Sequence, residues 1–318
     1  MKIIRIKDLA AFLGAEVHGN PELEITGFSK LDSVRPGTVV FAKKFKEEFV
    51  GLLNVCPDML AIVTPEYDVK VDGGRLLKCS YIVSSNPRLD FIRVLAEFFD
   101  PGVGNVSWRS KGVGGSSGAG RRFVHPTAVV EEGADVAPDA VIGPFCYVSA
   151  GSVVGARSVL HSHVTVYSKS VIGEDCEIKS GVVIGQSGFG FERDRNGKPV
   201  KFPHFGKVVI GNNVYVGANT CIDQGTLGDT VIEDNAKIDN LCHIAHNCHI
   251  GRGAFVIAGA VLGGGTQVGE NCWLAPNISV KEQTRIGDKA LIGLGAVVLR
   301  PVEPGAVMVG NPARKLVK

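Results

Sequence analysis

From Val124 onward an aliphatic residue returns at every sixth position. Val124, Val130, Val136, Ile142, Val148, Val154, Leu160, Val166, Ile172, Ile178 and Ile184 form eleven steps without a miss. The register breaks, resumes at Ile210, Val216 and Ile222, slips by four residues, and then runs from Ile232 to Val298 in twelve more steps, which makes 26 hexads (11 + 3 + 12). Two residues before each aliphatic sits a mostly small residue, such as Ala128, Ala134, Ala140, Ser152, Ser158, Thr220, Ala236, Ala254, Ala260 or Ala296. One large and one small inward residue per six describe one short side of a coil. Three such sides make a coil of about 18 residues, so the hexads predict between eight and nine coils stacked about 4.8 Å apart. This is a triangular parallel β-solenoid. Gly often follows the aliphatic, as at 143, 155, 173, 211, 217, 251, 269, 287 and 293, and is expected to serve a tight corner. Cys146, Cys176, Cys242, Cys248 and Cys272 share the small inward slot. They are therefore expected to be core thiols, and the absence of a CxxC pair argues against zinc or a disulfide framework.

Two interruptions break the rhythm. Residues 186–205, QSGFGFERDRNGKPVKFPHF, have the Gly, Asn-Gly and Pro content of an extruded loop, and Leu227 to Thr230 carry the four-residue slip. Both flank the His-rich hexads at 243–249, and loops on a rigid scaffold are where binding residues collect.

The first 100 residues lack the period. Helical spacing covers Ile6 to Leu13 and Pro87 to Phe99, with Phe91, Val94, Leu95 and Phe98 on one face and Pro in the first turn. Short apolar runs at Thr38 to Ala42, Leu60 to Val63 and Tyr81 to Val83 predict strands. The expected organisation is a small α/β domain (1–100), a flexible linker containing GVGGSSGAG (101–122), a solenoid (123–300) and a C-terminal tail (301–318), and 318 residues suit such a two-domain chain. With 34 Lys+Arg against 32 Asp+Glu the chain offers no electrostatic footprint for nucleic acid or an anionic membrane. The 45% hydrophobic, 21% charged composition excludes disorder as the main state, and 41 Gly without a strict period of three exclude collagen. No transmembrane segment is expected, since the longest uncharged stretch, Gly253 to Gly269, is shorter than a span. The N-terminus has no signal-peptide pattern, so a cytoplasmic location is expected.

Chemistry concentrates at 222–251. His243 and His249 each precede an inward aliphatic and point in different directions; His246 lies two residues after Ile244, on the outer side of a coil. The positions that would stack around these residues carry no further His, so no metal is expected. One coil above His246 is Gly264, inside Gly263-Gly264-Gly265; one coil below, allowing for the slip, is Asp223. A general base (His246), a carboxylate orienting it (Asp223) and an exposed backbone N–H (Gly264) in one column suit acyl transfer to an amine. Gly263 and Gly265 leave a smooth groove for an acyl chain or a pantetheine arm. The alternative, a solvated surface His246 with Asp223 in a turn, stays open on these residues alone.

The aliphatic-Gly-x-x-x-x pattern resembles the hexapeptide-repeat acyltransferases, which implies a left-handed parallel β-helix and a homotrimer. More closely, the N-terminal ITGFSKLDSVRPGTVVF and SNPRLDF, the GFGF at 188–191, and IDQG, KIDN and IAHN at 222, 237 and 244 resemble the UDP-3-O-acylglucosamine N-acyltransferase family of lipid A and lipopolysaccharide biosynthesis. The resemblance implies that His246 is the base and the Gly264 amide the oxyanion donor. It implies further that Phe41, Asn86 and Arg88 of the first domain bind the uridine, that Phe189, His204 and Asn240 meet the acceptor, and that Gly263, Gly265, Gln283 and Arg314 meet the donor. That donor would be an acyl-phosphopantetheine on acyl carrier protein or coenzyme A, with no permanently bound cofactor. Three features depart from the pattern: Gln224 replaces the Arg of IDRG, Gln283 stands roughly where a second His contacts the hydroxyacyl group, and a GNPA ending replaces a long helical extension. Such an ending resembles coenzyme A-dependent sugar acetyltransferases, so a short-chain N-acetyltransferase on a UDP-amino sugar for surface polysaccharide is the alternative. A non-catalytic scaffold is a second.

Overall fold

The computed structural model describes residues 3–71, 74–99 and 123–316. The chain divides into two compact units, Met1–Val106 and Ser107–Lys318. The expected linker at 101–122 lies outside the described residues.

In the first unit five strands run in the order Val17–His18, Ser80–Val83, Leu60–Val63, Thr38–Ala42, Gly27–Phe28. The last four are mutually parallel and the first is antiparallel to its neighbour. Alternate residues serve opposite faces. Val39, Leu60, Ile62 and Ile82 pack with Ile6 and Leu9 of the helix Ile6–Leu13 and with Phe91 and Val94 of the helix Pro87–Val94. Val40, Ala61, Val63 and Tyr81 pack on the other side with Leu53 of the helix Glu47–Asn54. Burial on both faces explains why these strands are nearly continuous apolar runs and therefore legible. The helix Glu47–Asn54 escaped the sequence because it is one short element with only Leu53 buried. The expected helix over 87–99 is α-helical to Val94 and continues as a π-helical turn, Leu95–Phe99.

The second unit is the expected solenoid, with sheets of 11, 9 and 8 strands on its first, second and third sides, parallel except for the last strand of the first. These sides begin at Phe123–Val124, Val129–Val130 and Asp135–Val136. Regular coils pair residues 18 apart, as in Val141↔Val159, Tyr147↔Thr165 and Val153↔Val171. The hexad aliphatics from Val136 to Val298 form one buried column, and the five hexad cysteines lie within it. Burial pushes the Cys146 thiol up to about 11 and that of Cys248 to about 12, so they are inert core groups.

The glycines after the aliphatic serve a different purpose from the expected one. The left-handed corner residue lies three positions before the aliphatic, for example Asn213 (φ 53°), Asn235 (φ 64°) and Asn247 (φ 60°). Gly155 and Gly217 have no such φ, but a Cβ on Gly155 would lie 2.5 Å from the Gly173 backbone, and one on Gly217 would lie 2.4 Å from Asn240 N. Close approach of the next coil requires glycine there. Residues 301–316 are also not a loose tail. Val302 bridges to Ile286, Val307–Val309 pairs with Leu291–Ile292, and Arg314–Lys315 closes the first sheet as an antiparallel strand. Among the described residues no helix is long and apolar enough to cross a membrane.

Candidate active site

Both interruptions leave the solenoid at the same corner, the one joining its second and third sides. The first departs after Val183–Ser187 and returns at Val208–Ile210; the second lies between Cys221–Gln224 and Thr230–Ile232. One coil further on, this corner holds Ala245, His246 and Asn247, and above it come Gly263, Gly264 and Gly265. The expected loop is an ordered hairpin, Phe191–Arg193 against Pro199–Lys201, and it is tied to the slip, since Phe205 N–H donates to the Thr226 carbonyl at 2.7 Å.

His246 is half-buried between two glycines. A Cβ on Gly264 would lie 2.6 Å from Cε1 and 2.8 Å from Nε2 of the imidazole, and one on Gly188 would lie 3.1 Å from its Cδ2. Neither glycine has a positive φ, so it is the imidazole that excludes a side chain. Among the described residues the Gly264 N–H donates to no acceptor, whereas Gly263 N–H reaches the Val280 carbonyl and Gly265 N–H the His246 carbonyl.

The tautomer of His246 follows from its neighbour. Asn247 Oδ1 accepts from Thr226 N–H (3.0 Å) and Thr226 Oγ1–H (2.8 Å), while Asn247 Nδ2 donates to the Gly228 carbonyl (3.1 Å). These partners fix the amide's orientation. The His246 Nδ1, 3.1 Å from Asn247 Oδ1, must therefore be the protonated nitrogen, which leaves the lone pair on Nε2. The slip thus has a purpose: its Thr226 and Gly228 lock Asn247.

Asp223 differs from expectation. It makes no hydrogen bond to His246; its Oδ1 accepts from Gln186 Nε2 at 3.3 Å and its Oδ2 lies 3.9 Å from His243 Nε2. The local register explains this, because Asp223 pairs with Gln186 in a strand that carries a bulge, and the residue is 2% exposed there. Burial raises its carboxyl above the usual carboxylate range, opposed by His243, Gln186, His246 and His204 in that order. Asp223 is thus not the partner of His246; the residue hydrogen-bonded to the ring is Asn247. IAHN contains Asn247, but nothing in the motif says which nitrogen of His246 it meets.

His204, at the return of the hairpin, joins the site with its ring 5.4 Å from that of His246 at 77°. Gln224, the departure within IDQG, donates from Nε2 to the His204 carbonyl at 3.2 Å. Gln283 stacks in the same corner one coil above Gly265, its N–H donating to the Gly264 carbonyl at 2.8 Å. Gly263 is packed against Glu282, whose N would lie 2.6 Å from an added Cβ. Asn240 sits elsewhere, at the corner joining the first and second sides, where its Oδ1 accepts from Ala218 N–H at 2.7 Å. Phe189, 85% exposed, and Phe191 line a hollow of about 530 Å³ on the hairpin with Glu192, Arg193 and Pro199. Arg314 lies on the closing strand, donating to the Ala313 carbonyl. His249 is engaged by Glu233 at 2.9 Å. Among the described residues no cluster of His, Cys, Asp and Glu could hold a metal ion.

In the first unit a cavity of about 890 Å³ is walled by Phe28, Phe41, Phe49 and Phe91 and edged by Lys30, Arg35 and Lys43. Phe41 lies 4.9 Å from Phe91, ring to ring. Asn86 and Arg88 do not line it. Asn86 Oδ1 caps the helix Pro87–Val94 by accepting from Leu89 N–H at 3.2 Å, and Arg88 is exposed on that helix.

The solenoid and its corner define a hexapeptide-repeat architecture. Residues 229–264 match the family described as bacterial transferase hexapeptide (six repeats), and 207–240 match the hexapeptide repeat of succinyl-transferase. The chain is similar to the UDP-3-O-acylglucosamine N-acyltransferases of Coxiella burnetii (strain RSA 493 / Nine Mile phase I), at 31% identity over 71% of this chain and 65% of that protein, and of Paracidovorax citrulli, at 35% over 73% and 63%. It thus spans a little under two thirds of the length of these relatives. Among solved structures it is similar to the UDP-N-acetylglucosamine acyltransferase of Francisella novicida, with a TM-score of 0.54 and 31% identity over 58% of this chain and 66% of that one.

Proposed function

We propose that the chain transfers an acyl group from a thioester to the amine of a UDP-amino sugar. The observation that carries this is His246, held with a bare Nε2 beneath an uncommitted Gly264 N–H. The amine nitrogen attacks the thioester carbonyl carbon, and Nε2 takes one of its protons. The carbonyl oxygen becomes an oxyanion that the Gly264 N–H stabilises; collapse breaks the C–S bond, and the thiolate recovers the proton from His246. The donor in this reading is an acyl-phosphopantetheine on acyl carrier protein. The similarity to the Coxiella and Paracidovorax proteins supports glucosamine bearing a 3-O-acyl group as the acceptor.

The first unit's cavity, with four Phe and three cations, suits a uridine diphosphate, with Phe41 stacking on the base and Arg35 and Lys43 meeting phosphates; Asn86 then acts through its cap. We place the working site between neighbouring solenoids of a homotrimer, because one outer corner offers few walls to two substrates. The test is a donor comparison on UDP-3-O-acylglucosamine. Turnover with 3-hydroxyacyl carrier protein is expected. Turnover with acetyl-CoA alone would replace this reading with the short-chain one, and no turnover with either would leave only the scaffold.

A further inference from the structure

We propose that His204 reads the nucleophile as an amine, its Nε2 accepting the N–H that the attacking nitrogen keeps. The inference rests on the acyl-transfer reading of the His246 corner.

The His204 ring is held on every side. Its Nδ1 lies 2.9 Å from the Phe202 carbonyl, which can only accept, so Nδ1 carries a proton and the imidazole in its neutral form presents a lone pair at Nε2. That Nε2 is buried and, among the described residues, has no hydrogen-bond partner. A buried polar atom without a partner is costly and calls for an explanation. Gln224 fixes the backbone beneath the ring. The GFGF glycines make room for it: a Cβ on Gly188 would lie 3.1 Å from His204 Nε2 and from His246 Cδ2, and a Cβ on Gly190 would lie 3.1 Å from His204 Cε1. Neither glycine has a positive φ, so it is the tight packing of these side chains, not the backbone conformation, that favours glycine.

His246 and His204 therefore stand together with the same protonation pattern, Nδ1–H committed to an amide or carbonyl oxygen and Nε2 bare. Two acceptors on imidazoles whose centroids are 5.4 Å apart fit a nucleophile with two hydrogens. A primary amine attacks through its lone pair, loses one proton to His246, and keeps one N–H in the amide product, and His204 accepts that hydrogen bond throughout. A hydroxyl has a single hydrogen; once it faces His246, the buried His204 Nε2 stays unpaired. Sites built to pair a hydrogen reject the analogue that lacks it. His204 is thus a specificity-determining residue for N- over O-acylation.

The test compares kcat/KM for a UDP-3-O-acyl sugar bearing an amine at C2 with that for its hydroxyl analogue, in the parent, His204→Ala and His204→Gln. His204→Ala is expected to lower the amine rate by roughly 10- to 100-fold and the hydroxyl rate much less, narrowing the preference. His204→Gln, whose amide oxygen also accepts, should recover part of it. Equal losses on both acceptors, or no loss on either, would overturn the proposal. If the variants fail to fold, ¹⁵N spectra of the parent decide: the His204 Nε2 resonance should shift on binding the amide product and not the ester, and an unmoved resonance would reject the idea. A parent that acylates no amino sugar at all would instead remove the acyl-transfer reading itself, a result visible before any variant is made.

Discussion

At the two unbroken corners of the solenoid, the polar side chain two positions after the aliphatic is spent on the backbone of the neighbouring coil; at the corner between the second and third sides that position holds His246 and Gly264, which make no such bond among the described residues. Asn240 Oδ1 takes the Ala218 N–H, Asn212 Oδ1 the Glu174 N–H and Asp288 Oδ1 the Glu270 N–H, each at 2.7 to 2.9 Å. These brackets join adjacent coils. At the broken corner His246 is flanked by Gly264 of the coil above and Gly188 of the hairpin segment, so from its position no side chain reaches across, while Asn247 beside it still brackets Thr226 and Gly228. What is left over is a backbone N–H and two imidazole nitrogens with nothing to bind. The difference teaches that the site is made by withdrawing the structural bracket from one position of one corner while the neighbouring position and the other two corners hold the coils in register.

Removing the base should break the contrast most sharply. His246→Ala is expected to cost roughly 10² to 10⁴ in kcat with the thermal transition little changed, because a half-buried outward ring contributes little to the core. Retention of a rate within threefold of the parent would end its assignment as base. Gly264→Ala comes next. Its φ is compatible with alanine, but the methyl would meet the His246 ring at 2.6 Å, so the ring must move. A misplacement of about 1 Å can cost about 100-fold, and single-turnover rates on folded protein would show it.

Asp223→Asn should act more gently and in two directions. Its carboxylate favours the imidazolium through its field without holding the ring, so a loss of roughly tenfold in kcat, about 1.4 kcal/mol, is expected. Stability should move the other way. Because burial raises its folded pKa above the unfolded one, the folded state holds the proton more tightly; the favourable contribution is complete in acid and is lost as pH rises through the folded value. Asparagine removes that loss. The variant should melt higher than the parent at neutral pH, and the two should converge below the usual carboxylate range. A lower melting temperature at neutral pH would show that the carboxylate is net stabilising there.

The regular parts of the molecule were legible because each hexad repeats one physical demand: a buried aliphatic, a small partner and a left-handed corner. Strands buried on both faces in the first unit were legible for the same reason. The column of His246 and Gly264 could be read by counting residues, since the period itself stacks them. Asp223 falls on the coil below by the same count, but its partner could not be read: a bulge after Ile184 sets Gln186 against Asp223. Asn247 and the His204 lone pair were invisible because their roles depend on which nitrogen carries a proton. That choice is made by Thr226 and Gly228 in the slip and by Phe202 in the hairpin, segments where the repeat says nothing.

The smallest effect should come from an unbroken corner, and it is the control that gives the comparison its meaning. Asn212 lies between the third and first sides, and its Oδ1 accepts the Glu174 N–H at 2.8 Å. Asn212→Ala removes this bracket while keeping the backbone N–H that Asp234 Oδ1 accepts at 2.7 Å. The residue is exposed, so water can satisfy the freed Glu174 N–H, and the cost should fall toward the low end of about 0.5–1.5 kcal/mol in chemical denaturation. Neither kcat nor the amine preference should change, because the ladder of paired strands on all three sides still sets the corner that carries His246. A fall in kcat from this variant, with the fold intact, would mean that coil spacing is transmitted between corners and that the site depends on the whole solenoid cross-section, not on the local withdrawal of side chains around one imidazole.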